Sequence, residues 1–151
     1  LAAELGPNQV GIRLSPFGVA NDSGETQPLA LYQTITTELN KLKLAYLHLI
    51  EPRASGAGQR DVDHQNMPSG CATLRPYWDQ TLITAGNFTP NSAAQTVANG
   101  DADAIAFGRF FISNPDLPRR IQRGQALTPY DRPTFYGGDS NGYTNYHAFG
   151  Y

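Results

Sequence analysis

A chain of 151 residues that is 40% hydrophobic and 16% charged has enough apolar content for one domain with a core of its own. Its formal net charge is −2, and lysine and arginine are scattered apart from Arg119, Arg120 and Arg123, which excludes the basic footprint of a nucleic-acid-binding protein. No apolar run approaches the roughly 20 residues of a membrane span, so no membrane partner is expected; the single cysteine, Cys71, read as a loop residue, excludes an intramolecular disulfide framework and favours the cytoplasm.

The chain opens Leu1-Ala2-Ala3-Glu4-Leu5-Gly6, the pattern of a last helical turn stopped by glycine, with no signal-peptide pattern, as though a fold were entered midway. A strand follows over 10–14, and a helix over about 28–43 carries Tyr32, Ile35, Leu39 and Leu42 on one face. A second strand occupies 44–50. Residues 51–80 include Ser55-Gly56-Ala57-Gly58 and Met67-Pro68-Ser69-Gly70 without a helical period, and they are expected to form a long loop over the active-site mouth. After a third strand at 82–85, Thr89-Pro90 caps a helix that carries Ala93, Ala94 and Val97 and stops at Asn99-Gly100. A fourth strand at 104–107 precedes a helix from Asn114-Pro115 to Gly124, and the aromatic tail of 127–151 is expected to cover the surface without regular structure.

Strands apolar on successive residues, alternating with helices, indicate a parallel sheet covered on both faces. Four such strands fit half of a (β/α)8 barrel better than a complete domain. A lone half-barrel exposes two sheet edges and its interior, so a missing half, a partner chain or self-association is implied. Two strands end in comparable pairs, Gly86-Asn87 and Gly108-Arg109, where glycine lets a ligand approach the backbone and the next side chain contacts it. With the helix start expected at Ser113-Asn114-Pro115-Asp116, these strand ends suit a phosphate-bearing cofactor or substrate.

Five blocks in order, Val10-Gly11-Ile12-Arg13-Leu14-Ser15-Pro16, Tyr46-Leu47-His48-Leu49-Ile50-Glu51-Pro52-Arg53, Ile83-Thr84-Ala85-Gly86-Asn87-Phe88, Phe107-Gly108-Arg109-Phe110-Phe111-Ile112-Ser113-Asn114-Pro115-Asp116-Leu117 and Pro129-Tyr130-Asp131-Arg132-Pro133-Thr134-Phe135-Tyr136, resemble the old yellow enzyme family of FMN-dependent ene reductases. The resemblance spans nearly the whole chain and implies an α/β fold, with 1–151 as the C-terminal half, strands five to eight and tail, of a TIM (β/α)8 barrel. It also implies FMN as cofactor, NAD(P)H as reductant and reduction of the C=C bond of a small α,β-unsaturated carbonyl compound.

By this resemblance Arg13 lies beside the flavin pyrimidine edge, where its charge steadies the reduced ring. Gly86, Asn87, Gly108 and Arg109 form the phosphate cradle. Phe135 lies near the flavin, and Tyr136 either contacts substrate or covers apolar surface. Glu51 and Arg53 are read as a structural ion pair in preference to an acid/base pair, and His48 as a satisfied core histidine. His64 and His147 lack metal-ligand spacing, so no metal site is expected. The family's substrate-anchoring pair and proton-donating tyrosine belong to the barrel's first half, so no catalytic residue is expected in this chain. The complementary N-terminal half-barrel is the implied partner. The rival reading is a self-associating half-barrel that binds a ligand, or acts without redox chemistry.

Overall fold

The computed structural model describes residues 1–18, 24–52, 68–136 and 139–150. Its strands β1 (Gly11–Leu14), β2 (Tyr46–Ile50), β3 (Thr81–Ala85) and β4 (Ala104–Ala106) form one parallel sheet in the order β1-β2-β3-β4. The register sets Arg13 opposite His48, His48 opposite Ile83, and Ile83 opposite Ala104. Parallel neighbours need a crossover between them. The connections contain α2 (Pro28–Asn40), α3 (Gly70–Leu74) and α4 (Pro90–Ala98), while α1 (Ala2–Leu5) precedes β1 and ends at Gly6 with φ 87°. The described residues divide into two units, one ending at Ala106 and containing the sheet, the other beginning at Phe107.

Alternation along the strands gives the sheet two unlike faces. Leu47, Leu49 and Leu82 are fully buried on one of them, in a core with Leu44, Cys71, Leu74, Trp78 and Ala102, against which Tyr32 and Leu39 of α2 pack. The other face carries Gly11, Arg13, Tyr46 and His48 and is much more open, contrary to the expectation of cover on both sides. Gly11 is needed there because the Tyr46 ring occupies the space a Cβ would take.

Three expectations for the elements need correction. Helix α2 ends at Asn40; Lys43 then turns the chain at φ 51°, and Leu42 is left 51% exposed instead of continuing the apolar face. Residues 51–80 are not irregular throughout: α3 and the 3-10 turn Arg75–Tyr77 place Cys71, Leu74 and Trp78 in the core, so Cys71 is not a loop residue. The Trp78 indole N–H donates to the Thr81 carbonyl at 2.9 Å. By contrast, α4 starts as expected, in a capping box where Thr89 and Ser92 each accept the other's backbone N–H.

In the second unit, the helix expected from Asn114 to Gly124 is the shorter α6 (Leu117–Gln122), and an unexpected helix, α5 (Arg109–Ser113), precedes it. Asn114, with φ −137°, breaks the helix between them, and its buried side chain donates to the carbonyls of Phe110 and Thr128 and accepts the Thr128 N–H at 2.7 Å. Ser113 is also buried and donates to the Thr128 carbonyl. These residues tie the tail down and are not presented to a ligand. Arg120 extends this network. It pairs with Asp116 at 2.8 Å and donates to Thr128 Oγ1 and to the carbonyls of Ala126 and His147.

Candidate functional site

In a parallel sheet every strand ends on the same side, and ligand-binding groups gather at that rim. Arg13 lies one residue before the end of β1, exposed on the open face, and its side chain makes no ion pair among the described residues. Gly86 and Asn87 follow β3 directly with φ 129° and 52°, a pair of positive values that glycine adopts freely and asparagine tolerates. The structure therefore places Arg13, Gly86 and Asn87 on one rim of one unit.

Gly108 and Arg109 open the second unit. Gly108 is the N-cap of α5, and a Cβ built on it would meet nothing within 4 Å. Arg109 donates to the Tyr130 hydroxyl at 3.3 Å and its guanidinium lies 5.8 Å from the centre of the same ring. Tyr130 also packs edge-on against Phe110, at 5.3 Å between centres, and against Phe135 at 5.7 Å. It was not singled out as a site residue from sequence, although it lies inside a recognised block, because a lone tail tyrosine gives no local sign of what it orients. Tyr136 is 73% exposed.

At the end of β2, Glu51 is buried and accepts three hydrogen bonds, from the Gly70 N–H at 2.8 Å, the Cys71 N–H at 3.0 Å and Thr84 Oγ1 at 2.8 Å. This carboxylate starts α3 and joins it to β2 and β3, a structural role whose partners are backbone and hydroxyl groups. Arg53, expected as its ion partner, lies outside the described residues, as do Ser55 to Gly58, His64 and Met67. Burial, followed by the neighbouring Glu51 charge, pushes the Cys71 thiol up to about 11, so this cysteine is not a nucleophile. His48 corrects another expectation: it is not a satisfied core histidine, since its Nε2 is buried without a hydrogen-bond partner among the described residues. No group of three or more potential metal ligands occurs among the described residues. Among the same residues no helix is long and apolar enough to cross a membrane.

The sequence pattern of the NADH:flavin oxidoreductase / NADH oxidase family matches residues 2–128. The chain belongs to this family. It is 43% identical over 148 residues to 12-oxophytodienoate reductase 2 of Arabidopsis thaliana, covering 97% of this chain and 38% of that protein. It is 38% identical to flavin oxidoreductase hxnT of Emericella nidulans, covering 94% and 41% respectively. Among solved structures, morphinone reductase in complex with tetrahydroNAD matches with a TM-score of 0.82 at 38% identity, over 97% of this chain and 38% of that one. The old yellow enzyme from Trypanosoma cruzi matches with a TM-score of 0.84 at 28% identity, over 98% and 37%. The chain thus spans about two-fifths of the length of its relatives. Its four-stranded sheet is half of the TIM barrel of the old yellow enzyme family.

Proposed function

We propose that this chain is the C-terminal, cofactor-holding half of an FMN-dependent NAD(P)H oxidoreductase that reduces the C=C bond of α,β-unsaturated carbonyl compounds. The observation that carries the reading is the rim itself: an arginine on the open face of β1 that makes no ion pair among the described residues and a Gly-Asn turn at the end of β3, within a family described by its flavin chemistry. The residues fit the cofactor. A cation suits an electron-rich ring edge, and a backbone turn at a strand end suits a phosphate dianion.

When bound, FMN would supply the hydride chemistry. The chain's own residues would bind and orient it. Arg13 would set a positive charge beside the ring, Gly86 and Asn87 would offer their turn to the phosphate, and Gly108 would leave room for it. Arg109, steadied by Tyr130, would add charge-assisted hydrogen bonds, with Phe135 packed behind Tyr130 and Tyr136 open to a substrate. The complementary half-barrel is the partner that completes the substrate site.

The test is FMN affinity, measured by fluorescence titration in the protein that contains this chain. Arg109→Ala removes hydrogen bonds worth about 1.5–3 kcal/mol and should weaken binding by about tenfold to a hundredfold. Unchanged affinity refutes Arg109 as a phosphate ligand. The open sheet face also suits the rival reading, a self-associating chain without redox chemistry. A preparation that takes up no FMN and forms a stable dimer in light scattering would favour it.

A further inference from the structure

Arg13 and His48 are direct neighbours across the first two strands. Their side chains leave the same face, about one strand spacing, ~5 Å, apart at the backbone. Arg13 is exposed and makes no ion pair among the described residues, whereas the Nε2 of His48 is buried with no partner. The groups facing His48 are few. β1 contributes Arg13, β2 itself the Tyr46 phenol, and β3 and β4 place Ile83 and Ala104 in the same row. No carboxylate stands on this face of the four strands, and Glu51 is turned to the opposite one, onto Gly70, Cys71 and Thr84.

A histidine so placed is held neutral: burial, and then the Arg13 charge, keep it below the usual histidine range. An anion seated against Arg13 would cancel the second of these causes and leave burial as the first.

We propose that the proton affinity of His48 is coupled to Arg13: an anion that pairs with the guanidinium raises the affinity of the imidazole for a solvent proton. The anion's identity rests on the functional reading above, where it is the pyrimidine edge of reduced flavin. The coupling itself rests only on the two strands. The proton comes from solvent and is released when the anion leaves, so anion binding is accompanied by proton uptake at pH values near the His48 midpoint.

The experiment is an NMR pH titration of the His48 ring in the protein that contains this chain, assigned by the loss of its signal in His48→Gln. Arg13→Met should raise the midpoint by about half a unit to one unit, from the Coulomb energy of unit charges ~6 Å apart at an effective dielectric of ~40–80. Arg13→Lys, which keeps the charge, should leave it in place, and Arg13→Gln is a second neutral variant if Met does not fold. A midpoint that stays put in both neutral variants overturns the coupling. FMN reduced with dithionite should raise the midpoint in the wild-type protein, and reduced FMN that binds without raising it also overturns the proposal. If the neutral variants raise the midpoint but FMN does not bind to the protein that contains this chain, the coupling stands and the FMN reading falls.

Discussion

Replacing Glu51 with glutamine tests whether one buried carboxylate holds the start of α3 to the sheet. The variant keeps the shape and removes the charge. Two of the three donors to Glu51 are backbone N–H groups, on Gly70 and Cys71, and the third is the Thr84 hydroxyl. An amide has one carbonyl oxygen, so its NH2 must face a donor that the carboxylate had satisfied. Losing a charge-assisted hydrogen bond, and leaving a buried N–H without an acceptor, should together cost about 2–4 kcal/mol. Thr84→Val removes only the hydroxyl and should cost about 0.5–1.5 kcal/mol.

Urea unfolding gives the global difference, and hydrogen exchange at the Gly70 and Cys71 amides the local one. Cys71 reports independently. Its buried thiol, pushed up to about 11, should react slowly with a disulfide reagent in the native protein and faster in Glu51→Gln, where α3 opens more often. A Glu51→Gln variant within about 0.5 kcal/mol of wild type, with unchanged exchange and labelling, would refute the account of a carboxylate that holds α3 in place.

Asp103 accepts from the Leu82 N–H at 2.8 Å and from Arg75 at 2.7 Å, and these two bonds, the first the larger cause, hold its carboxyl below the usual range. The unfolded chain therefore takes up this proton first as pH falls, near pH ~4, and the stabilisation present above that value disappears through the lower folded one. Asp103→Asn should lower stability at neutral pH and flatten the acid decline in melting temperature; an unchanged slope below pH ~4 would count against it. Trp78→Ala should cost about 3–5 kcal/mol in urea unfolding, and Trp78→Phe less, because the phenyl ring keeps part of the packing while losing the bond to Thr81. Arg13→Met should lower the potential of bound FMN, by about 30 mV for each 1.4 kcal/mol of lost differential stabilisation. Redox titration decides it, and a constant potential with FMN still bound would remove Arg13 from the ring.

Local sequence pattern was a good guide where local interactions decide the structure. The apolar runs gave the four strands within a residue or two, Gly6 and Gly100 marked helix ends, and Thr89-Pro90 marked the cap of α4. It failed where a distant group decides. Helix α3 begins with glycine and lasts five residues, too short for a period to show, and its first N–H groups are satisfied by a glutamate 19 residues upstream. Asn114 reads as a helix cap in sequence, but its partner, Thr128, lies 14 residues downstream and holds it as a helix break. For the proposed site, strand ends and family blocks point to Arg13 and the two glycine pairs. Tyr130 and the partnerless Nε2 of His48 depend on contacts that only the folded chain creates.

The fit of the Tyr46 ring over Gly11 has a consequence for how this sheet can change through evolution. The two positions share one volume: any side chain at 11 displaces the far end of the Tyr46 ring, which is 40% exposed, and a small residue at 46 uncovers β1. Relatives with alanine or a larger residue at the first position should carry a smaller one at the second. Two positions far apart along the chain would then vary as one, directly beneath the arginine that the rim presents.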